Sequence, residues 1–191
     1  MSGPPMSWLG LNLPNTITLL RLMSVPLTIW LILDDSFALA FWVFVGAGVS
    51  DALDGYIAKR FDCRTQLGAL LDPVADKALL ASVYLALGIA GLMPNWLVIL
   101  VIFRDVLIIG GFVLIQTIAT PRQFDPLYIS KINTLAQISL VAFVLARLGF
   151  DFADGEVTRL LIAATAVTTV LSGLSYLVRC ARALAGAEQP S

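Results

Sequence analysis

Four aspartates in the first half of the chain are spaced so that they could bind metal together. They are Asp51, Asp54, Asp72 and Asp76, and the chain contains no histidine. The members of each pair, three and four residues apart, share one face of a helix. Carboxylate oxygens without imidazole or thiolate partners suit Mg²⁺ or Mn²⁺. Four carboxylates can bridge two cations about 3.5–4 Å apart, the arrangement that clamps a phosphoryl group during transfer.

The chain around these aspartates is too apolar for a soluble domain. Of its 191 residues 59% are hydrophobic and only 13% are charged, whereas a soluble domain carries about 25% charged residues. An aspartate at the centre of a membrane helix costs about 2.5–3.5 kcal/mol. A cluster of four therefore requires cations to neutralise it. The net charge of −1 gives no sign of a nucleic-acid partner.

Six stretches are long and apolar enough to position the aspartates as membrane helices, since a span needs about 20 such residues. Their approximate bounds are 16–33, 37–58, 68–90, 95–117, 130–148 and 158–179. The predicted fold is an all-α integral membrane bundle of six transmembrane helices. A short interfacial segment containing Trp8 and Leu13 precedes the bundle. We expect one membrane domain over residues 1–185 and a flexible tail over 186–191.

Basic residues predict the orientation in the membrane. Lys59, Arg60 and Arg64 lie between the second and third predicted helices, and Arg179 and Arg182 lie at the carboxyl end. The positive-inside rule places this side, both termini and the aspartates in the cytoplasm. The sequence does not begin with an Arg-rich targeting segment, so we expect a bacterial inner membrane.

The aspartates belong to a longer pattern that resembles a known family. The pattern is Asp51-x2-Asp54-Gly55-x2-Ala58-Lys59-x8-Gly68-x3-Asp72-x3-Asp76. It resembles the motif of the CDP-alcohol phosphatidyltransferases at every fixed position except Lys59, where the family has Arg. A lysine still binds phosphate but lacks the bidentate fork of arginine. The resemblance also implies a homodimer.

The resemblance implies a role for each position of the motif. Two divalent cations, Mg²⁺ or Mn²⁺, would be held by Asp51, Asp54, Asp72 and Asp76, and Asp76 would also be the general base. The residues expected to contact CDP-diacylglycerol are Asn15, Thr18, Gly55, Ala58, Lys59 and Thr65. If Gly55 and Ala58 did not belong to the motif, tight helix packing would be the better interpretation of these small residues. A helix cap and a buried threonine are the simpler interpretations of Asn15 and Thr18.

Three basic residues on the same side suggest an anionic acceptor alcohol. They are Arg21, Arg104 and Lys131, and Arg104 lies within the fourth predicted helix. The segments around Arg104 and Lys131 resemble the eukaryotic-type cardiolipin synthases of the family. Sister enzymes that make phosphatidylglycerophosphate tend to have Lys where this chain has Asn133. The resemblance therefore favours phosphatidylglycerol as acceptor, giving cardiolipin, with glycerol 3-phosphate as the alternative.

A direct displacement is the predicted mechanism, because no Ser, Cys or His is paired with a neighbouring base. Asp76 would accept the proton of the acceptor hydroxyl as that hydroxyl attacks phosphorus.

Two other kinds of membrane protein are alternatives that the sequence disfavours. An intramembrane prenyltransferase would need a second acidic cluster, and a cation transporter would need acids spread through the membrane. Aspartates that line an ion path, or that pair with Lys and Arg for packing alone, are further alternatives.

Overall fold

A computed structural model describes residues 21–61, 66–118, 128–153 and 156–187. Side chains are described for residues 21–50, 77–110, 128–153, 156–179 and 181. The described chain is entirely helical apart from its turns. Its six helices are α1 (Arg21–Leu33), α2 (Phe37–Phe61), α3 (Gln66–Ile89), α4 (Asn95–Ile118), α5 (Tyr128–Phe150) and α6 (Val157–Ala187).

The predicted helix bounds agree with the structure to within about three residues, except at the end of α6. Residues 16–20 of the first predicted helix lie outside the described residues, as does the predicted interfacial segment. Helix α6 continues eight residues beyond Arg179, through Gly186 and Ala187. Hydropathy locates the apolar part of a helix and not its end, and the alanine-rich continuation of α6 favours helix. The single-domain assignment stays a prediction.

The turns between helices use backbone conformations that few residues adopt. Asp35, Gly91 and Asp151 have φ angles of 58°, 71° and 49°. Glycine has no Cβ to clash in this left-handed region, and aspartate tolerates it better than most residues. After α1, the amide of Ser36 donates to the carbonyl of Leu31 at 2.8 Å, which closes the helix end.

The first of two compact units contains α1, α2, α3 and the end of α5, from Val144 to Phe152. Its core is apolar, and its most deeply buried side chains include Ile32, Ala40, Val83, Tyr84, Leu87 and Leu145. The end of α5 touches the start of α2 backbone to backbone. A Cβ built on Gly149 would lie 2.5 Å from the Ala38 nitrogen. The rings of Phe41 and Phe150 meet edge to face beside this contact, with centroids 5.6 Å apart.

The second unit contains α4, the first part of α5 and α6. Helix α4 packs against α6, and apolar side chains such as Leu97, Val101 and Leu140 are buried. This unit also buries an unusual amount of polar surface. The buried polar side chains are Arg104, Asp105, Asn133, Gln137, Thr165, Thr169 and Ser172.

Within the described part of the chain, two helices, over Tyr128–Phe150 and Val157–Arg179, are long and apolar enough to cross a membrane. Large apolar side chains cover their outer surfaces; Leu160 and Leu135 are 68% and 66% exposed. Such surfaces are unfavourable in water and ordinary in lipid. The all-helical fold and these two helices are consistent with a membrane protein.

Candidate active site

The aspartate motif is distributed over two helices of the first unit. Asp51 and Asp54 lie in the second half of α2, and Asp72 and Asp76 lie in the first half of α3. Both stretches are continuous helix, and positions three or four residues apart in a helix lie on the same face. The four side chains lie outside the described ones. Their convergence on metal therefore stays a prediction. Among the described side chains, no group of three or more Asp, Glu, Cys or His could hold a metal ion.

The predicted CDP-diacylglycerol contacts are only partly covered by the structure. Gly55, Ala58 and Lys59 lie in the last turns of α2, on the same helix as the first aspartate pair, and their side-chain positions lie outside the description. Asn15, Thr18 and Thr65 fall outside the described residues. Three of the six predicted contacts thus lie on the same helix as Asp54 and close to it in sequence.

Arg104 lies at the centre of a buried hydrogen-bond network in the second unit. Its side chain is 3% exposed, and Nη1 donates to Asp105 Oδ1 at 2.6 Å. Nη2 donates to the hydroxyls of Ser130, in α5, and Ser172, in α6, each at 2.6 Å. Nε also donates to Ser172 Oγ, at 3.2 Å. One guanidinium thus joins three helices.

Lys131, next to Ser130 in the first turn of α5, has a different environment. The residue is exposed, and its Nζ lies 5.8 Å from the ring centroid of Tyr128. Among the described residues no carboxylate pairs with it. Its ammonium group is therefore available to an anion, with the aromatic ring as a weak additional partner.

The third predicted acceptor residue, Arg21, is 3% exposed at the start of the described part of α1. It belongs to the first unit, whereas Arg104 and Lys131 belong to the second. The structure thus brings Arg104 and Lys131 onto connected elements. The grouping of all three basic residues stays a prediction.

A second polar contact joins α5 to α6 one turn beyond Ser130. The hydroxyls of Thr168 and Thr169 donate to Asn133 Oδ1 at 2.9 and 2.8 Å, and Asn133 is fully buried. Both threonines also lie near a carbonyl of their own helix; Thr169 is 2.6 Å from the Thr165 oxygen. The side chain of Asn133 therefore connects two helices.

Sequence reasoning missed Ser130, Ser172 and the two threonines as partners. A signal was present in α6, where Thr165, Thr169 and Ser172 recur at intervals of four and three residues. This period places them on one face of an otherwise apolar helix. Such a stripe indicates interhelical hydrogen bonding. It does not identify the partners, which lie on α4 and α5.

Known proteins match the chain over most of its length. The family model described as CDP-alcohol phosphatidyltransferase matches residues 11–171. Cardiolipin synthase (CMP-forming) of Rattus norvegicus is 37% identical over 181 residues, covering 86% of this chain and 60% of the relative. The Homo sapiens protein of that name gives the same figures.

A bacterial relative matches nearly end to end. The CDP-diacylglycerol--glycerol-3-phosphate 3-phosphatidyltransferase of Bacillus subtilis is 31% identical over 181 residues, covering 86% of this chain and 93% of the relative. The chain spans only about 60% of the length of the rat and human proteins. The family match includes the whole aspartate motif, Arg104, Ser130 and Asn133, and ends one residue before Ser172. This chain therefore belongs to the CDP-alcohol phosphatidyltransferase family.

Proposed function

We propose that this protein transfers the phosphatidyl group of CDP-diacylglycerol to a glycerol-type alcohol and releases CMP. Phosphatidylglycerol is the proposed acceptor, which gives cardiolipin. Glycerol 3-phosphate, which gives phosphatidylglycerophosphate, is the second candidate. The names of the relatives support both reactions: the rat and human proteins are CMP-forming cardiolipin synthases, and the B. subtilis protein uses glycerol 3-phosphate.

The observation that carries this proposal is the aspartate motif on two continuous helices inside the family match. The donor set fits divalent metal, because four carboxylates with no imidazole or thiolate provide the hard oxygen ligands of Mg²⁺ and Mn²⁺. Asp51, Asp54, Asp72 and Asp76 would hold two such cations. When bound, the cations neutralise charge on the diphosphate oxygens.

The remaining steps are assigned to the residues of the chain. Gly55, Ala58 and Lys59 bind the CDP moiety on α2, with Asn15, Thr18 and Thr65 as its other contacts. Asp76 accepts the proton of the acceptor hydroxyl as its oxygen attacks the phosphatidyl phosphorus. The new P–O bond forms as the bond from that phosphorus to the CMP phosphate oxygen breaks. CMP leaves with the electron pair of the broken bond.

The acceptor is proposed to bind at the basic residues Arg21, Arg104 and Lys131. Of the two in the second unit, Lys131 is exposed and Arg104 is enclosed by hydrogen bonds. The uncharged Asn133 lies one turn from Ser130, where glycerol 3-phosphate enzymes tend to have a lysine. Among the described residues of the second unit, one accessible ammonium group at Lys131 suits the phosphodiester of phosphatidylglycerol better than a doubly charged phosphomonoester.

Six membrane spans are proposed, with both termini and the aspartate motif on the cytoplasmic side of a bacterial inner membrane. The basic residues that follow α2 and end α6 support this orientation. Trp30 and Trp42, each 61% exposed, lie close to the turn between α1 and α2. Tryptophan is common at membrane interfaces, so their positions suit a turn at the opposite surface. A homodimer is proposed from the family resemblance.

A product assay tests the proposal. Purified protein in mixed micelles is given labelled CDP-diacylglycerol and Mg²⁺ or Mn²⁺, with phosphatidylglycerol or glycerol 3-phosphate in separate reactions. We expect CMP and cardiolipin from the first reaction, and no product after chelation with EDTA. Phosphatidylglycerophosphate from the second reaction alone would contradict the proposed acceptor. No CMP from either reaction would contradict the proposed function.

A further inference from the structure

We propose that Arg104 is a positioning residue, which holds the first turn of α5 against α4 and α6 and thereby places Lys131 for the acceptor. This inference rests on the proposed function. Of the two predicted acceptor residues in the second unit, Lys131 contacts the acceptor and Arg104 acts through Lys131.

The first argument is that the Arg104 guanidinium is largely occupied. Of its five N–H groups, four donate hydrogen bonds to protein oxygens, with three donor–acceptor distances of 2.6 Å and one of 3.2 Å. Only 3% of the side chain is exposed. A bidentate contact to an acceptor phosphate would require two free N–H groups, so it would displace Ser130, Ser172 or Asp105. Each displacement would break a charge-assisted hydrogen bond in a buried site.

The second argument concerns charge. The Asp105 carboxylate lies 2.6 Å from Arg104 Nη1, so the pair has no net charge as seen by a distant anion. The pair is deeply buried, and interactions at this distance are strong in a low dielectric. Asp105 therefore weakens the attraction of Arg104 for an anionic acceptor. Lys131 has no such carboxylate among the described residues.

The third argument is connectivity. Ser130 accepts from Arg104 and directly precedes Lys131 in the first turn of α5. A helix end frays unless other groups hold it. The Asn133 contact to Thr168 and Thr169 fixes α5 against α6 one turn further on. With both anchors in place, the backbone at Lys131 is held from either side.

The substitution Ser172→Ala tests the proposal, because it removes the acceptor of two Arg104 hydrogen bonds without touching Lys131. The matched control is Ser175→Ala in the same helix; among the described residues its hydroxyl donates only to the Leu171 carbonyl of α6, at 2.7 Å. We expect Ser172→Ala to raise the KM for the acceptor about tenfold. We expect the KM of Ser172→Ala for CDP-diacylglycerol to be unchanged. The Ser175→Ala control should have wild-type KM values for both substrates.

A double variant separates positioning from direct contact. If Arg104 acts through Lys131, Ser172→Ala has no further effect on the acceptor KM once Lys131→Gln is present. If Arg104 contacts the acceptor itself, the two effects multiply, and the proposal is wrong. An unchanged acceptor KM in Ser172→Ala, or an equal rise in both KM values, also overturns it.

The pair Ser130→Ala and Ser130→Thr gives an independent check that does not disturb α6. Threonine retains the hydroxyl, and Ser130 is half-buried, so a methyl group has room. We expect the alanine variant to raise the acceptor KM and the threonine variant to restore it. Failure of threonine to restore the KM would overturn the role given to the Ser130 hydroxyl. Inactive wild-type protein would instead reject the proposed function on which the inference rests.

Discussion

At the scale of single residues, charge in this protein is used in two different ways. The aspartates of α2 and α3 would be costly in a membrane without a cation, so their presence indicates ligand chemistry. Arg104 is neutralised within the protein by Asp105 and bonded to two serines. We therefore expect charged residues to bind a ligand in the first case and to position helices in the second. The partners distinguish the two cases.

The general base is the most direct residue-scale prediction. Asp76→Asn keeps the size of the side chain but cannot accept the acceptor proton, so we expect CMP release to fall by about 10²–10⁴-fold. Asp151→Asn, at the exposed turn after α5, is the control and should be fully active, because asparagine tolerates its positive φ. If Asp76→Asn were fully active and a titration showed that it still binds Mn²⁺, another group would have to accept the proton.

Asn133 provides a stability prediction. Asn133→Ala removes the acceptor shared by Thr168 and Thr169, but both hydroxyls keep a carbonyl of α6 within reach. We therefore expect only a modest cost, about 1–2 kcal/mol, measured as a lower Tm in detergent. Thr134→Ala, whose hydroxyl donates within α5 to the Ser130 carbonyl, should change Tm little. Equal effects in the two variants would argue against the interhelical contact.

At the scale of elements, helices meet through two kinds of contact. In the second unit, side chains of α4 and α6 donate hydrogen bonds to side chains of α5, and Arg104 of α4 also donates to α6. In the first unit the end of α5 touches α2 at Gly149, where the Ala38 and Phe37 backbones leave no room for a Cβ. Small residues that admit close approach and polar groups that bridge helices are both common in membrane proteins.

Glycine substitutions should have opposite effects at two sites in the first unit. Gly149→Ala would place a methyl group 2.5–2.9 Å from the α2 backbone, so we expect a loss of about 1–3 kcal/mol. Gly48→Ala, in α2, meets nothing within 4 Å and should stabilise by up to about 1 kcal/mol through helix propensity. Thermal unfolding in detergent measures both. If Gly149→Ala left the stability unchanged, α5 would be able to move away from α2 without a loss of stability.

At the scale of the whole molecule, lipid is the solvent that the outer surface requires. Exposed leucine, valine and tryptophan side chains cover the described helices. The proposed orientation then depends on which ends carry lysine and arginine.

Labelling of cysteines tests that orientation. In a variant with Cys63 and Cys180 replaced by serine, Ser36→Cys marks the turn between α1 and α2, and Ala181→Cys marks the exposed surface near the end of α6. We expect a membrane-impermeant maleimide to modify position 36 in intact bacterial cells and position 181 only after lysis. The reverse pattern would invert the proposed topology, and modification of both in intact cells would contradict it.

The sequence by itself determined the helices and the family, and it predicted the lipid environment and the chemistry of the aspartate motif. Apolar stretches of membrane length and residues three or four apart are local properties, so they survive without knowledge of the fold. The bounds of α2 to α5 follow from them within about three residues. Helix α6 ran further than predicted, because helix formation does not stop where hydropathy falls.

Only the tertiary structure decided which helices share polar partners. The Arg104 guanidinium reaches serines 26 and 68 residues away, and Asn133 reaches threonines 35 and 36 residues away. Gly149 has its special role because the end of α5 lies against α2. Periodicity shows that a helix has a polar face or a small residue. Which face or backbone it meets depends on packing between segments far apart in the chain, and that packing decides whether a buried charge is free for a ligand or already bonded.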